Sequence, residues 1–346
     1  MVARKASTKK HPTISEIAER AGVSAGAVSY ALNGRPGVSE ETRARIVRIA
    51  DEIGWVPSSA ARALRGGGAR TVGLVITREP AVLRVEPFFM SFVAGIEQVI
   101  SDRGYALMLH VTPDERQALA TYQQWWSSRR VDGVFLTDLT LDDARLGLTQ
   151  EIGLPAVVVG DPLYAGDAPA AWSDDARIAE TAVQWFADLG HRRIGHVTGP
   201  ATYVHTRVRS EAMRRECQRR GIELVTEVET DYTYASGSAA CEALLGLRNP
   251  PTAVVFDNDV TALAGVRAVI GAGLRVPEDI SILAWDDSPL CELSDPPLSA
   301  LSRDVSAYGA EAATILLALI ENGESASVKA SDAALVMRKS VGPAAS

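Results

Sequence analysis

The spacing of apolar residues changes near residue 70. Before that point, residues 13–54 place apolar side chains at the 3.6-residue period of helices. From Thr71 onward, short β-branched runs alternate with amphipathic helical stretches. The predicted strands are 71–76, 105–111, 133–137, 155–160, 193–198, 252–256 and 280–285, and the helices between them include 90–102, 115–129, 175–189 and 207–220. This alternation predicts parallel sheets covered by helices on both faces, and so many strands predict two sheets.

Three short helices are predicted in the first part. Thr13 and Glu16 have the spacing of a capping box, and Gly22 can supply the tight turn that ends the first helix. Ser24 and Ser39 are the N-cap candidates of the second and third helices. Three helices with a glycine at the first turn are typical of a helix-turn-helix that reads DNA.

The charge is unevenly distributed. Residues 1–65 hold eleven basic and six acidic residues and so carry +5, whereas the remainder carries -13, which gives the net charge of -8. A basic head on an acidic body fits a head that contacts phosphates. A solvated basic tail would show the same charge.

Composition excludes several other classes. A length of 346 residues predicts two or three domains, and the three distant cysteines predict neither a disulfide framework nor a metal site. No apolar run is long enough to span a membrane, and none follows the basic N-terminus as in a signal peptide, so the expected location is cytoplasmic, without a membrane partner.

Motifs of common enzyme classes are not found. The sequence lacks the GxSxG, HExxH, P-loop and GxGxxG patterns, and its five histidines do not have the spacing of metal ligands. We therefore expect no catalytic site, no metal and no cofactor. An enzyme or a sugar-binding transport protein remains a weaker alternative, and the transport protein would need a signal peptide and no head.

A resemblance covers nearly everything after residue 12. The strings that carry it are TISEIAERAGVSAGAVSYALNG, GVSEETRARI, GWVPSSAARALR, PFF, RRVDGV, LGHRRIGHVTGP, FDNDVTALAG, GLRVPEDISILAWDD and PPLSAL. They resemble the lactose-repressor (LacI/GalR) family of transcription regulators. The resemblance implies an all-α helix-turn-helix head and an α/β body of two parallel-sheet lobes, similar to type I periplasmic binding proteins.

The resemblance also implies a division into domains. The expected parts are a basic tail (1–12), the helix-turn-helix (13–56), a hinge helix with its linker (57–70) and an effector-binding and dimerisation domain (71–346). Within that domain, the N-lobe would comprise about 71–172 and 305–332, and the C-lobe about 173–304 and 333–346. The tail has no leucine heptad, so we expect a homodimer.

DNA contacts are expected from the second helix and the hinge helix. In the family, the second helix enters the major groove, which points to Ala25, Gly26, Ala27, Ser29 and Tyr30. Ser29 and Tyr30 can hydrogen-bond to bases, while simple helix packing is the alternative for the small residues. The hinge helix would insert Leu64 into the minor groove, bring Arg62 to a phosphate and place Ser58 where relatives often have asparagine.

Effector contacts are expected in a cleft between the lobes. By the resemblance, the ligand-binding residues would be Phe89, Asp161, Arg209, Tyr232, Asn258, Asp286 and Arg303, with Asp174 as a weaker candidate. Taken singly, Arg209 could be an ordinary exposed helix arginine, Asn258 a helix cap and Asp286 a turn cap. The atypical charged segment 78–87 could alter the choice of ligand.

These expectations combine into one hypothesis. The chain would be a regulator, most simply a repressor, that binds a palindromic operator in double-stranded DNA and is controlled by a small molecule. A sugar or sugar derivative is the leading effector, because the residues that resemble the family's cleft include hydroxyl-binding acids and amides and a stacking aromatic ring. A purine-type or other metabolite is the alternative.

Overall fold

The computed structural model describes residues 12–55, 68–78, 86–324 and 326–344. The chain forms two compact units, Met1–Gly67 and Gly68–Ser346. The predicted hinge residues Ser58, Arg62 and Leu64 lie outside the described residues, so their roles stay predictions.

The first unit contains the three predicted helices. They are α1 (Ile14–Ala21), α2 (Ala25–Leu32) and α3 (Glu40–Glu52). The hydroxyl groups of Thr13, Ser24 and Ser39 each accept a hydrogen bond from the backbone N–H three residues later, at 3.2–3.3 Å. The three helices bury a small aliphatic core made of Ile17, Ala18, Ala21, Val28, Ala31, Ile46, Ile49 and Ala50.

Two local features hold these helices at their angles. Gly22 ends α1 with φ of 67°, a left-handed conformation that glycine adopts without a steric cost. Arg43 of α3 donates hydrogen bonds to the carbonyl oxygens of Ala31 (2.6 Å) and Arg35 (2.8 Å), and so joins α3 to the end of α2. The position of α2 is therefore fixed from both sides.

The second unit contains two six-stranded sheets. The first sheet has the order β11-β5-β4-β3-β1-β2 and is parallel throughout. Its strands are β1 (Thr71–Thr77), β2 (Ala106–Thr112), β3 (Gly133–Leu136), β4 (Ala156–Val159), β5 (Ala170–Trp172) and β11 (Val328–Lys329). Four helices cover its faces: α4 (Pro87–Asp102), α5 (Glu115–Ser127), α6 (Ala144–Ile152) and α12 (Val305–Asn322). We call this sheet and its helices the N-lobe.

The second sheet forms the C-lobe in the same way. Its order is β12-β10-β9-β8-β6-β7, and only the pairing of β12 with β10 is antiparallel. The strands are β6 (Arg193–Thr198), β7 (Glu223–Glu229), β8 (Ala253–Phe256), β9 (Ser281–Ala284), β10 (Ser299–Ser302) and β12 (Ala334–Val336). The helices are α7 (Asp175–Asp188), α8 (Val204–Arg220), α9 (Tyr234–Leu245), α10 (Asp259–Gly271) and α11 (Pro289–Leu293).

The chain crosses between the two sheets three times. It does so between β5 and α7, between β10 and α12, and between β11 and β12. Each crossing is only a few residues long, and the first two place Ser173 and Arg303 between the lobes. No helix in the described part of the chain combines the length and apolar character that a membrane span requires.

Glycines allow two N-lobe helices to approach closely. A Cβ built on Gly95 of α4 would lie 1.8 Å from the carbonyl oxygen of Ser306, and one on Gly309 of α12 would lie 2.2 Å from that of Phe92. Both distances are far below van der Waals contact. Only glycine at these positions lets the helix backbones meet.

We therefore expect Gly95→Ala to destabilise the protein by about 1–3 kcal/mol, the usual cost of overpacking. Gly147→Ala is the matched control, because Gly147 is helical and exposed and a Cβ there would meet nothing within 4 Å. That control should gain about 0.5–1 kcal/mol from helix propensity. Urea unfolding of the full chain measures both values. Equal effects of the two substitutions would contradict the close approach of the helices.

Candidate functional site

A cavity of about 80 Å³ lies where the carboxyl ends of both sheets meet. About half of its lining residues directly follow a strand, and most of the others lie at the starts of helices. The lining residues are Arg78, Glu86, Phe88, Phe89, Thr137, Asp138, Val159, Gly160, Asp161, Ser173, Asp175, His205, Val208, Arg209, Tyr232, Asp257, Asn258, Asp286, Arg303 and Tyr308. All seven residues predicted to contact an effector are among them.

Arg209 is the most strongly held of these residues. Arg209 belongs to α8 and its side chain is buried. Its Nε and Nη2 atoms both lie 2.9 Å from Oδ2 of Asp175. The guanidinium group also lies 4.0 Å from the centre of the Trp285 ring. The alternative of an ordinary exposed arginine is therefore wrong.

Asp175 takes the place of the weaker candidate Asp174. Asp174 does not line the cavity, because its carboxylate accepts a hydrogen bond from the backbone N–H of Arg177 at the start of α7 and pairs with Lys329. Asp175, the next residue, points into the cavity instead and contacts Arg209 and Arg303. The sequence did not distinguish two adjacent aspartates at a helix start, of which one caps and the other faces inward.

Arg303 and Asp286 form a second charged pair at the cavity. Their Nη2 and Oδ1 atoms are 3.4 Å apart, and Nη1 of Arg303 donates a hydrogen bond of 3.0 Å to the hydroxyl of Ser173. Burial raises the pKa of Asp286, although Arg303 and Arg209 oppose this. The Nε atom of Arg303 is buried without a hydrogen-bond partner. The pair therefore does not use all the hydrogen-bond donors of Arg303.

Asn258 caps a helix and also lines the cavity, so both roles considered for it from the sequence are compatible with the structure. Its Oδ1 atom caps α10 by accepting a hydrogen bond of 2.8 Å from the N–H of Thr261. Its Nδ2 atom is buried and has no hydrogen-bond partner, while the residue lines the cavity. Asp161 is similar, since its Oδ1 caps the short 3-10 turn Pro162–Tyr164 while the residue lines the cavity.

Aromatic rings and a neutral histidine complete the lining. The hydroxyl of Tyr232 is 3.0 Å from Nε2 of His205. Burial, and then Arg209, lower the pKa of His205 to about 4, so its ring is uncharged at neutral pH. Phe89 is fully buried beside the cavity. The rings of Phe89 and Tyr232 give the cavity apolar faces between its charged groups.

Most of the lining residues were not among the predicted contacts, and three of these are charged residues of the N-lobe. Arg78, Glu86 and Asp138 line the N-lobe side. Two of them, Arg78 and Glu86, belong to the charged segment 78–87, which the sequence suggested could alter the choice of ligand. Asp138 follows β3 directly, apart from one threonine, so its position beyond a strand end was the available signal.

A buried charge network lies beneath the C-lobe side. His196 of β6 is 2.9 Å from Oδ1 of Asp257 and 3.2 Å from Oε1 of Glu227. Burial lowers the pKa of His196, but the two carboxylates outweigh it and raise the pKa to about 9. The other oxygen of Asp257 is 4.0 Å from Nη1 of Arg209, and Glu227 also pairs with Arg214. The imidazolium therefore positions Asp257 at the cavity wall.

The predicted DNA-reading residues share the outer side of α2. Ala25 and Gly26 are exposed, Ala27 and Ser29 are half-buried, and Tyr30 is 47% exposed. The hydroxyl of Ser29 accepts a long hydrogen bond of 3.4 Å from Asn33. The opposite side of α2 carries Val28 and Ala31 into the core of the first unit.

Family models match both units. Residues 13–58 match the model described as bacterial regulatory proteins, lacI family, and residues 183–341 match a periplasmic binding protein-like domain. The chain is 33% identical over 315 residues to the HTH-type transcriptional regulator CelR of Thermobifida fusca, an alignment that covers 89% of this chain and 92% of CelR.

The chain belongs to the lacI family of bacterial regulatory proteins. It is also 30% identical to the HTH-type transcriptional repressor CytR of Escherichia coli K12, over 88% of this chain and 89% of CytR. A solved complex of CelR with cellobiose superimposes with a TM-score of 0.73 at 30% identity, covering 95% of this chain and all of that one. The predicted fold class and the role as a DNA-binding transcriptional regulator are thereby confirmed.

The raised pKa of His196 predicts how the stability of this regulator depends on pH. Because the folded state holds the proton more tightly than the unfolded state, the contribution is complete below pH 6.5 and is lost as pH rises through about 9. Between pH 7 and 9 the free energy of unfolding should fall by about 2 kcal/mol on this account.

Urea unfolding at pH 7 and 9 of the wild type and of His196→Gln isolates this contribution, since other titrating groups are common to both. His110→Gln, a change at an exposed histidine, is the control and should keep the wild-type pH dependence. If His196→Gln shows the same fall as the wild type, the imidazolium is not the cause.

Proposed function

We propose that this regulator represses transcription by binding a palindromic operator as a homodimer, and that a small polyhydroxyl effector in the cavity between its lobes controls that binding. The observation that supports this most directly is the cavity itself. It gathers side chains from the strand ends of both lobes and from two of the three crossing segments between them. A ligand there contacts both lobes at once.

The chemistry of the lining favours a sugar or sugar derivative. Buried atoms without partners include a donor on Asn258 and a donor on Arg303, and carboxylates such as Asp286 can accept hydrogen bonds from hydroxyl groups. Phe89 and Tyr232 offer apolar faces beside them. A solved CelR structure contains cellobiose, and we carry only the chemical class of that ligand over to this chain.

The remaining parts of the chain are assigned by the same proposal. Residues 13–56 would read the major groove through α2, and residues 57–70 would form a hinge helix that inserts Leu64 into the minor groove. The N-lobe and C-lobe would divide at the three crossing segments, and the body would supply the dimer contacts. Such a regulator acts in the cytoplasm, where the chromosome is, and needs no catalytic residue.

Control by an effector predicts a change in operator affinity. An operator is first selected from a random double-stranded DNA library with the full-length protein. Its dissociation constant is then measured with and without saturating cellobiose, D-glucose, D-ribose or adenine. At least one sugar should change that constant by about 5- to 150-fold, the usual range of coupling between two sites. If no compound that stabilises the protein changes operator affinity, the proposed control fails.

Asn258→Ser provides a variant that separates capping from ligand binding. Serine caps a helix about as well as asparagine, but it lacks the amide donor. Operator affinity and stability should stay near wild type, while the response to the active sugar is lost. Asp114→Ser is the control, because Asp114 caps α5 away from the cavity. That variant should keep its full response.

Groove reading by α2 predicts a specific effect of Tyr30→Phe. The ring stays and only the hydroxyl is removed. Affinity for the selected operator should therefore fall about 5- to 150-fold, which corresponds to the loss of a base contact that contributes about 1–3 kcal/mol. Binding to random DNA should not change. Tyr234→Phe is the matched control, since Tyr234 is 45% exposed on the body. Equal loss for both DNAs would assign Tyr30 a non-specific role instead.

A further inference from the structure

The N-lobe side of the cavity contains a cluster of three charged side chains, Arg78, Glu86 and Asp138. None of them was among the predicted effector contacts. Nη2 of Arg78 lies 3.1 Å from Oδ2 of Asp138, and its Nε lies 3.7 Å from Oε2 of Glu86. Nη1 of Arg78 donates a hydrogen bond of 2.5 Å to the hydroxyl of Tyr203 in the C-lobe. This hydrogen bond therefore joins the cluster to the C-lobe.

Three aromatic rings surround the guanidinium group. Its carbon lies 4.8 Å from the ring centre of Tyr203, 5.4 Å from that of Tyr232 and 5.7 Å from that of Phe89. Arg78 is 7% exposed. These rings and the two carboxylates hold Arg78 in one place, so its remaining hydrogen-bonding capacity has a fixed direction.

Each member of the cluster keeps one buried polar atom without a hydrogen-bond partner. These atoms are Nε of Arg78, Oε2 of Glu86 and Oδ2 of Asp138. The ion pairs with Arg78 do not have the geometry of hydrogen bonds at these atoms. Buried polar groups in folded proteins are nearly always hydrogen-bonded, so one donor and two acceptors at one wall keep the capacity for further hydrogen bonds.

The backbone directs two of these side chains inward. Glu86 stands at the N-cap position of α4, yet its side chain makes no capping hydrogen bond. Asp138 has φ of 51°, a left-handed conformation that is uncommon outside glycine and is tolerated best by asparagine and aspartate. A local role as a cap or an ordinary loop residue does not account for either placement.

The charge balance of the cavity decides what the partner can be. Among the described lining residues there are six carboxylates and three guanidinium groups, and His205 is uncharged at neutral pH. The His196 imidazolium offsets the charge of Asp257, which leaves five carboxylates against three guanidinium groups. Each guanidinium group already contacts at least one carboxylate: Arg78 with Asp138, Arg209 with Asp175, and Arg303 with Asp286. A phosphate or carboxylate on the ligand would meet uncompensated negative charge in a buried site.

We propose that Arg78, Glu86 and Asp138 form a specificity subsite that binds hydroxyl groups of an unphosphorylated sugar and excludes the phosphorylated form of the same sugar. A hydroxyl group can donate to a carboxylate and accept from Nε of Arg78, so two neighbouring hydroxyls satisfy all three atoms. A phosphate dianion has only acceptors and leaves both carboxylates unsatisfied. This inference rests on the proposed function, because it specifies the effector of that same cavity.

Burial adds a second reason for the preference. It raises the pKa of Glu86 to about 7, although Arg78 lowers it. Burial and the neighbouring acids that disfavour the ionised form of Glu86 also disfavour a further negative charge on a ligand at this wall. The groups that face Glu86 are Arg78, Asp138, Asp286 and Asp259, of which three are acidic.

The test measures ligand binding to the full-length protein without DNA. Isothermal titration at pH 7.5 compares three pairs: D-glucose with D-glucose 6-phosphate, D-ribose with D-ribose 5-phosphate, and cellobiose with its 6-phosphate. At least one neutral sugar should bind, and its phosphorylated partner should bind at least tenfold more weakly. Equal or tighter binding of the phosphorylated member, or no binding by any of the three neutral sugars, overturns the proposal.

Two conservative variants assign the discrimination to the cluster. Glu86→Gln and Asp138→Asn each keep the shape and one acceptor but remove a negative charge, and asparagine keeps the left-handed backbone at residue 138. Each should reduce the ratio of the two dissociation constants at least fivefold. A purely structural role would weaken both ligands equally and leave the ratio unchanged, which would contradict the assignment. Glu151→Gln, at an exposed glutamate of α6, is the control and should keep the wild-type ratio.

The ligand titrations and the operator-affinity measurements together test the subsite and the proposed control independently. A sugar that binds with the expected preference but leaves operator affinity unchanged supports the subsite and refutes the proposed control. A phosphorylated sugar that binds more tightly and alters operator affinity does the reverse.

Discussion

The parallel direction of the strands is the constraint on which the rest of this structure depends. In a parallel sheet every connection returns the chain to the same starting edge, so the residues that leave the strands all gather at the other edge. In this regulator that rule applies twice. Arg78, Asp138 and Asp161 follow strands of the N-lobe, while Asp257, Asp286 and Arg303 follow strands of the C-lobe. Because the two carboxyl edges face each other, residues distant in sequence form one cavity.

The crossing segments connect this cavity to the geometry of the lobes. Ser173 lies on the first crossing and Arg303 on the second, and a hydrogen bond of 3.0 Å joins them. Both also line the cavity, and Asp175 at the start of α7 contacts Arg209 and Arg303. Under the proposed function, a ligand that changes any of these contacts would act on the segments that connect the lobes. Effector binding and lobe orientation would then depend on the same few side chains.

Much of the fold could be predicted because the main signals are local. The three caps of the head and the central strands such as 193–198 follow from short patterns, and the resemblance brought seven distant residues to one cavity. Strand β7 was not predicted, because its sequence ELVTEVE is polar and it lies at the edge of a sheet, half-buried. Edge strands of parallel sheets lack the continuous apolar run that marks the central ones.

The missed cavity residues have a different cause. Asp175 and Asp174 are adjacent acids at a helix start, and only the helix phase decides which one caps and which one faces inward. Glu86 and Asp138 owe their inward direction to an unused cap position and to a positive φ, neither of which a single sequence displays. The orientation of these side chains is set by the folded backbone and not by a local sequence pattern. Asn258 shows the converse case, since capping and ligand binding are compatible on one side chain.

The buried charges of the cavity also bear on why a ligand should matter to this protein. Well-packed apolar residues commonly stabilise a core as well as or better than a buried ion network does. Here Arg78, Arg209 and Arg303 are nevertheless held among six carboxylates, and several of their polar atoms lack partners. Under the proposed function, an effector that hydrogen-bonds to these atoms would stabilise the interior. Because such atoms belong to both lobes, as Asp138 and Asn258 show, the gain would be largest in a lobe arrangement that lets one ligand reach both.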